Sequence, residues 1–372
     1  MTEASIPLNE AGGRLTIDLK ALAENYQEIA ARVAPAACAA VLKGDAYGTG
    51  LPQAATAFWQ AGARSFFVAL LSEARELRNL LPQAEIFVLN GLFPGTGEIY
   101  REFDLRPVLG SPAQIAHWQE FCEACGTALP AALHVDTGMN RLGVTATDAV
   151  NIAEGLDELG FPLVLVMSHF ACADEPGHPL TARQLEDFRA VAALFPGIRA
   201  SLANSAGVLS GPEMHFDLVR PGIAVYGARA KADVEPLRPV VRLELRIVQT
   251  RDVHEGESVG YGAAQIMERP TRIAILSGGY ADGIPRLVGS SNERRGAEVI
   301  IAGRRCPMVG RISMDLMAVD VTDLPEEDVV PGGWATLLGD GLEVDDLASQ
   351  AQTIGYEVLT SLGRRYHRRW TY

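Results

Sequence analysis

Short β-rich apolar runs that alternate with longer amphipathic segments constrain the fold of this chain more than any other feature. Eight such runs occupy the first two thirds of the sequence: Ala37 to Lys43, Ser65 to Leu70, Glu85 to Asn90, Leu105 to Leu109, Ala132 to Asp136, Leu163 to His169, Ala200 to Asn204 and Ile223 to Tyr226. The segments between them have helical periodicity and include Leu51 to Ala63, Ser72 to Leu80, Pro112 to Cys125, Ala146 to Leu159 and Ala182 to Leu194. Strand-then-helix units in this number predict an α/β fold, a parallel (β/α)8 TIM barrel.

After residue 237 the pattern changes to closely spaced strands without long helices. The runs are Val240 to Val248, Arg272 to Leu276, Glu298 to Ala302, Ala318 to Val321 and Ala335 to Leu338, with Gly and Pro between them. We expect a barrel over residues 13–236 and a mainly β C-terminal domain over residues 237–372, with residues 1–12 packing on the β domain. The early run Arg14 to Leu19 precedes the barrel strands and is a further candidate to pair with the β domain.

Composition excludes several classes of protein. The formal net charge of -14 opposes attraction to nucleic acid and to anionic lipid, because both are polyanions. No apolar stretch is long enough for a membrane span, and no secretory signal opens the sequence, so we expect a cytoplasmic protein. Five cysteines make a disulfide scaffold improbable, and the Cys122–Cys125 pair lies in a segment that reads as helical packing.

Polar residues stand where several of the predicted barrel strands end. Lys43, Asp136, His169 and the pair Asn204–Ser205 all occupy such positions. Because the carboxyl ends of barrel strands form one mouth, where barrel active sites are built, we expect these side chains to converge there.

Lys43 is the strongest chemical signal among them. It ends the apolar run Ala39 to Leu42 and is followed by a glycine-rich segment that lacks the dinucleotide-binding spacing. Burial lowers the pKa of a lysine and leaves a neutral amine that condenses with a carbonyl, which suggests a Schiff base. The alternative is a strand-end lysine whose ammonium group reaches solvent.

The order of motifs along the chain resembles that of the alanine racemases, enzymes of fold type III that use pyridoxal 5'-phosphate. The motifs are the Lys43 segment, Val135 to Gly143, Ser168 to Ala171, Ala203 to Ser205, Phe216 to Gly227, Ser258 to Gly262, Gly279 to Gly283 and Val309 to Asp315. The resemblance covers nearly the whole chain. It implies an isomerase that interconverts L-alanine and D-alanine, for peptidoglycan synthesis or for D-alanine catabolism.

The resemblance also implies roles for single residues. Lys43 would hold the cofactor and act on one face of the substrate Cα, and Tyr261 would be the acid/base on the other face. His169 would assist Tyr261, because a tyrosine is a poor base unless its phenolate is stabilised. Arg220 would contact the pyridine nitrogen and, since it only donates, would leave that nitrogen unprotonated and limit transamination.

Further contacts follow from the same resemblance. The phosphate would lie among Tyr47, Ser205, Gly222, Ile223 and Tyr356, and His169 and Asn204 would also bind the cofactor. Arg141 would approach the phenolic oxygen of the cofactor, and Met314 and Asp315 would lie near the substrate carboxylate. Tyr261, Met314 and Asp315 would enter from the second subunit of a homodimer, so that each active site is shared.

Three positions depart from the family pattern. His134 stands where many members carry a carboxylated lysine that steadies the arginine at Arg141, so another group, an anion or a carboxylate, must do so here. Thr49 replaces a frequent histidine in the Lys43 segment. Ser201 replaces a histidine that often hydrogen-bonds the arginine at Arg220.

Other interpretations stay open at this point. A racemase of serine or of a broader set of amino acids fits the same residues. A decarboxylase of this fold requires an acidic partner for the ring nitrogen, which Arg220 disfavours, and a non-catalytic cofactor carrier has no use for Tyr261. We expect no metal site near His169 and His178, since no strict ligand spacing occurs there. The basic tail Arg364 to Trp370 reads as a solvated or interface-lining terminus.

Overall fold

The computed structural model describes residues 6–372, which form two compact units. The barrel unit comprises residues 22–237, and the β unit comprises residues up to 21 together with residues 238–372. The first strand of the chain, β1 (Gly13–Asp18), belongs to the β unit. No helix in the described part of the chain is long and apolar enough to cross a membrane.

The barrel unit is built on parallel strands that follow one another in chain order. They are β2 (Ala37–Cys38), β3 (Ala40–Val41), β4 (Ser65–Val68), β5 (Glu85–Val88), β6 (Arg106–Leu109), β7 (Ala131–His134), β8 (Leu163–Met167), β9 (Arg199–Ser201) and β10 (Leu218–Val219). Strands β3 to β9 form a curled seven-stranded sheet, and β10 pairs with β2. Arg220 N donates to Ala203 O at 2.9 Å, which joins β10 to the chain leaving β9 and completes the ring. The predicted barrel architecture is therefore confirmed.

The eighth strand is not the predicted run. Ile223–Tyr226 is a 3₁₀ turn, and Leu218–Val219 takes the strand position. Backbone amides in the run bond three residues back, Val225 N to Gly222 O at 3.0 Å, instead of across to a neighbouring strand. Its apolar side chains are buried nonetheless, so burial alone mimics the sequence pattern of an internal strand.

Helices alternate with these strands, and the five predicted ones are present, Pro112–Cys125 with the predicted ends and the other four with shifted ends. The helices are Leu19–Val33, Leu51–Gln60, Leu71–Leu80, Gly97–Glu102, Pro112–Cys125, Ala146–Glu154, Pro179–Ala193 and Ser205–Ser210. Local chemistry sets several starts: Thr145 and Asp148 form a reciprocal capping box at the start of Ala146–Glu154. Cys122 and Cys125 lie on one of these helices and are not disulfide-bonded.

The β unit contains one large, mainly antiparallel sheet. Besides β1, the strands of this unit are β11 (Val241–Val253), β12 (Ser258–Val259), β13 (Gln265–Ile266), β14 (Thr271–Ser277), β15 (Glu298–Ile301), β16 (Arg304–Val309), β17 (Leu316–Asp320), β18 (Trp334–Leu338) and β19 (His367–Thr371). Strands β12 and β13 pair with each other outside the large sheet. The sheet order is β14-β17-β16-β15-β18-β11-β1-β19, and the long strand β11 also pairs with β14, so six strands close on themselves. Two helices, Val344–Gln350 and Gly355–Ser361, complete the unit.

The N-terminal boundary differs from the one expected at residue 13. Strand β1 lies between β11 and β19 in the β-unit sheet, and its alternate residues Leu15 and Ile17 are fully buried there. The boundary therefore falls near residue 22. Of the expected N-terminal segment 1–12, residues 1–5 lie outside the described residues. Residues 6–12 contact the same unit, since the carbonyl of Leu8 accepts from the Arg246 guanidinium at 2.9 Å.

The basic tail also differs from expectation. Residues His367–Thr371 form β19, which runs parallel to β1 with Trp370 opposite Ile17. Two consecutive arginines, Arg368 and Arg369, lie within this strand, so a run of positive charge concealed a strand.

Candidate active site

Lys43 lies two residues after the end of the buried strand β3 and precedes an unusual turn. Gly44, Asp45, Ala46 and Tyr47 have φ angles of 66°, 53°, 52° and 55°, which places four successive residues in the left-handed region. Such a run is costly for residues with a Cβ atom. Asp45 helps to hold it, because its carboxylate accepts from the amide of Leu51 at 2.7 Å.

The surroundings of Lys43 favour a neutral amine. The side chain is half-buried, and burial lowers its pKa, as do the positive charges of Arg141 and Arg220. The carboxylate of Glu73 acts in the opposite direction. The sequence predicted a lysine with a lowered pKa. The structure brings this lysine together with two arginines from distant loops.

Arg220 lies after β10 and is buried, with only 4% of its surface exposed. Its guanidinium donates to the hydroxyl of Ser201 and to the carbonyl of Ser168, the latter at 2.5 Å, and its centre lies 5.8 Å from the ring of Phe67. Burial lowers the pKa of Arg220 to about 9, so the group remains a cation at neutral pH. Every one of these partners is uncharged.

His169 receives its orientation from Arg220. The Nδ1 atom of His169 lies 3.4 Å from a guanidinium nitrogen of Arg220, and an arginine can only donate, so Nδ1 is the acceptor and the ring proton resides on Nε2. Burial and the positive charges of Arg220, Arg141 and Lys43 hold the pKa of His169 well below its usual value. His169 is therefore a neutral imidazole with a defined tautomer.

The predicted phosphate residues of the barrel unit form a cradle of hydroxyl groups and backbone amides. The hydroxyl of Ser205 accepts from the amide of Gly222 at 2.8 Å and from that of Ala224 at 3.2 Å, while the ring of Tyr47 stacks on Tyr226 at 4.4 Å. A Cβ atom on Gly222 would lie 2.1 Å from the hydroxyl oxygen of Tyr47. Hydroxyl groups and backbone amides that converge at a position where no side chain fits suit an oxyanion.

Asn204 and Asp136 have structural partners at the barrel mouth. The Asn204 side chain caps the helix Ser205–Ser210 by accepting from the Gly207 amide at 3.0 Å. The carboxylate of Asp136 accepts from the amides of residues 138–140 at 2.9 to 3.2 Å and so shapes the loop that carries Arg141. A role for Asn204 toward a cofactor stays a prediction.

The charge of Arg141 acts on His134, but the two side chains differ in exposure. His134 is 7% exposed, and burial together with the charges of Arg220 and Arg141 lowers its pKa to about 4. Arg141 is exposed and forms no ion pair with any described residue of the barrel unit. A neutral histidine therefore stands beside an arginine that its own unit leaves without a carboxylate.

In the β unit, the residues predicted to act on substrate lie at the surface. Tyr261 is 71% exposed in a 3₁₀ turn, and Met314 is 53% exposed. The Met314–Asp315 loop is held by its backbone, since the Gly278 amide donates to Asp315 O at 2.9 Å, and by Arg365, which bridges Asp315 and the buried Asp282. Tyr356 lies at the start of the helix Gly355–Ser361 and is partly exposed.

An open groove of about 920 Å³ lies beside Tyr261 in the same unit. Its floor consists of apolar side chains from strands β11, β14, β16 and β17: Val253, Ile273, Ile275, Val309 and Ala318. Arg311 and Ser313 belong to its rim.

Sequence reasoning overlooked two groups of the barrel site. Glu73 contacts the Lys43 turn, and the carbonyl of Ser168 accepts from Arg220. Glu73 stands three residues after the N-cap position of its helix, which is the glutamate position of a capping box, but Leu70 occupies the place usually taken by Ser or Thr. The backbone carbonyl of Ser168 left no sequence signal at all. No cluster of His, Cys, Asp and Glu suitable for a metal ion occurs among residues 6–372.

Comparison with known proteins agrees with this arrangement. Residues 17–230 match the family described as alanine racemase, N-terminal domain, and residues 240–370 match alanine racemase, C-terminal domain. An alanine racemase from Methylobacterium sp. (strain 4-46) is 52% identical over 96% of this chain and 97% of its own length. The biosynthetic alanine racemase of Agrobacterium fabrum is 45% identical over 99% of this chain and 97% of its own.

A solved structure gives the same result. The crystal structure of alanine racemase from Bartonella henselae with covalently bound pyridoxal phosphate superposes with a TM-score of 0.90 and is 37% identical, covering 97% of this chain and 100% of the other. The match extends over both units. This chain belongs to the alanine racemase family.

Proposed function

We propose that this protein interconverts L-alanine and D-alanine with pyridoxal 5'-phosphate bound at Lys43. The observation that carries the proposal is the convergence of a lysine with a lowered pKa, a buried arginine with uncharged partners and a cradle of hydroxyls and amides at one end of the barrel. The names of the relatives and the cofactor bound in the Bartonella henselae structure support it.

The residues of the barrel unit fit this cofactor group by group. Tyr47, Ser205 and the amides near Gly222 and Ile223 would hold the phosphate, where a Cβ atom on Gly222 would clash. Arg220 would donate to the ring nitrogen, and Arg141 to the phenolic oxygen. From the β unit, Tyr356 would add a hydroxyl to the phosphate. When bound, pyridoxal phosphate supplies an electron-withdrawing ring that acidifies the Cα–H bond of the amino acid.

Inversion at Cα requires a base on each face. The amine of Lys43 accepts the Cα proton on one side, and the phenol of Tyr261 returns a proton on the other; the reverse reaction exchanges these roles. The Nε2–H of His169, whose position follows from the Arg220 contact, donates to the Tyr261 phenolate and lowers the cost of forming it. Arg220 keeps its own proton and would therefore leave the ring nitrogen of a bound cofactor unprotonated.

A second copy of the chain would complete each site. Tyr261 and Met314 are exposed, and the apolar groove beside Tyr261 is open. We propose a homodimer in which Tyr261, Met314 and Asp315 of one subunit reach the barrel of the other, with Met314 and Asp315 beside the substrate carboxylate.

The role in the cell is part of the proposal. The printed name of the Agrobacterium fabrum relative includes the word biosynthetic, and the overall charge of -14 suits a soluble protein that avoids polyanions. We propose a cytoplasmic enzyme that supplies D-alanine for peptidoglycan. Deletion of the gene should then make growth depend on added D-alanine; growth without it would point to a catabolic role.

The experiment for the reaction itself uses chiral chromatography. The purified protein with pyridoxal phosphate is incubated separately with L-alanine, D-alanine, L-serine and L-lysine, and both enantiomers are quantified together with carbon dioxide. We expect equal amounts of L- and D-alanine from either starting enantiomer. The Lys43→Ala variant should not interconvert the enantiomers. Faster racemisation of serine would establish the broader racemase, and release of carbon dioxide would establish a decarboxylase.

A further inference from the structure

The charges around Lys43 are strongly unbalanced. The positive charges of Arg141 and Arg220 act on it from the loops that follow β7 and β10, and Lys43 in turn depresses the pKa of the neutral His169. Within the turn that follows Lys43, the carboxylate of Asp45 accepts a hydrogen bond from the Leu51 amide. The negative group that opposes the arginines at Lys43 is Glu73, which comes from the helix after β4.

Glu73 is anchored by three backbone amides. One carboxylate oxygen accepts from the amides of Ala69 and Leu70, at 2.9 Å each, at the start of its own helix. The other oxygen accepts from the amide of Gly44 at 2.7 Å. Gly44 is the residue directly after Lys43 and the first of the left-handed turn. One carboxylate therefore ties the helix Leu71–Leu80 to the turn that positions the lysine.

We propose that Glu73 is a positioning residue for Lys43: it holds the Gly44 amide and supplies the negative charge that balances the arginines around the lysine. The inference deepens the proposed function, on which it rests for the chemical role of Lys43. A helix cap alone requires only the bonds to Ala69 and Leu70. The third bond, to Gly44, crosses from one strand-helix unit of the barrel to the next and has no part in capping.

The composition of the chain offers a direct test that needs no cofactor. The sequence contains three lysines, Lys20, Lys43 and Lys231, so the amine reactivity of each can be followed by itself. Lys20 is exposed and serves as the internal standard. The full-length protein, freed of pyridoxal phosphate by dialysis against hydroxylamine, is labelled with trace acetic anhydride between pH 6 and pH 11, and each lysine peptide is quantified by mass spectrometry.

The Glu73→Gln variant keeps an oxygen that can accept from Gly44 and removes the charge. We expect the labelling midpoint of Lys43 to fall by about 1 pH unit relative to the wild type, with Lys20 unchanged. Glu76→Gln, on the exposed side of the same helix, is the matched control and should leave Lys43 unchanged. An identical Lys43 midpoint in wild type and Glu73→Gln would overturn the electrostatic part of the proposal.

The tether is tested separately with Glu73→Ala. Hydrogen exchange of the peptide that contains Lys43 to Tyr47 should be faster in Glu73→Ala than in the wild type, while peptides on the opposite side of the barrel keep their protection. Unchanged exchange in this peptide would overturn the tether, and this readout also decides the matter if Glu73→Gln folds poorly. If the wild type fails to bind pyridoxal phosphate, the proposed function fails, yet the labelling and exchange results still decide the role of Glu73.

Discussion

Arg220 holds a full positive charge inside the barrel against groups that carry none. Ser201 is a central part of this arrangement: its hydroxyl accepts from Arg220 and donates to the carbonyl of Leu218, and the residue has no exposed surface. A serine thus does here what a histidine often does in related enzymes. The Ser201 hydroxyl both donates and accepts a hydrogen bond. Serine in place of histidine at this position therefore leaves no polar atom of residue 201's side chain without a partner.

The Ser201→Ala variant tests this arrangement. Removal of the hydroxyl leaves a buried charged donor unpaired, and we expect the free energy of unfolding to fall by about 2 kcal/mol. Urea denaturation measures the loss, and Ser72→Ala, at an exposed helical position, is the control. A stability equal to that of the control would show that Arg220 has another adequate acceptor.

His134 predicts a pH dependence of stability. Its pKa is about 4 in the folded protein and about 6.5 in an exposed histidine, so between these values the unfolded chain binds a proton that the folded chain does not. Stability from this group is therefore complete above pH 6.5 and is lost as the pH falls toward 4, by up to about 3 kcal/mol.

The measurement compares urea denaturation of wild type and His134→Gln at intervals from pH 7 to pH 4. His134→Gln should lose less stability over this range than the wild type. His117→Gln, at an exposed helical position, should follow the wild type. Parallel curves for wild type and His134→Gln would contradict the assignment of a neutral, buried histidine.

At the scale of elements, the two ends of the barrel strands serve different purposes. The upstream ends of β5, β6 and β9 are joined by Glu85, whose carboxylate pairs with Arg106 and with Arg199, the second at 3.1 Å from Nη1. Within the barrel unit, Lys43, His169 and Arg220 follow the downstream ends. In barrels, the upstream end contributes stability and the downstream end chemistry.

Glu85→Ala should therefore affect stability without affecting catalysis. Two partly buried arginines would lose their shared carboxylate, which we expect to lower the free energy of unfolding by about 2 kcal/mol. Racemase activity at saturating substrate, measured well below the unfolding temperature, should be unchanged. Glu98→Ala, which removes an exposed ion pair with Arg101, should change stability little. A large loss of activity with stability intact would refute this division of roles.

The elements differ in how well sequence predicts them, for identifiable reasons. Strands β4 to β8 were predictable because each lies in an apolar run between turn residues, and Pro112–Cys125 because a capping serine and a proline mark its start. The eighth strand was not, since the run Ile223–Tyr226 is equally apolar and is buried by its 3₁₀ turn. Strand β19 was concealed by arginines, and β1 gave an ambiguous signal because its partners lie more than two hundred residues away.

The same limits apply to the site. Lys43, His169 and Arg220 could be found because each stands in a recognisable motif at the end of an apolar run. Glu73 could not, because its contact with the Gly44 amide depends on a backbone turn whose left-handed conformation has no simple sequence signature. Tertiary contacts to backbone groups decide such roles, and backbone groups are the same at every position.

At the scale of the whole molecule, a shared active site predicts complementation between defective chains. Lys43→Ala and Tyr261→Phe should each be inactive as homodimers. In a mixed dimer, one site carries both defects and the other carries neither, so partial denaturation and renaturation of an equal mixture should restore part of the wild-type rate. Sedimentation should show dimers in the Lys43→Ala sample, in the Tyr261→Phe sample and in their renatured mixture. Recovery of dimers without any recovery of activity would contradict the proposal that Tyr261 acts in the partner's site.

The most direct test of the account is the reaction of L-alanine in ²H₂O, followed by polarimetry and proton NMR. Two bases on opposite faces of Cα predict that the optical rotation decays to zero with total alanine conserved. They also predict that the first D-alanine formed carries deuterium at Cα, while the remaining L-alanine still carries hydrogen. A constant rotation in the presence of pyridoxal phosphate, or D-alanine that retains the original hydrogen, would contradict the central claim that Lys43 and Tyr261 exchange protons on opposite faces.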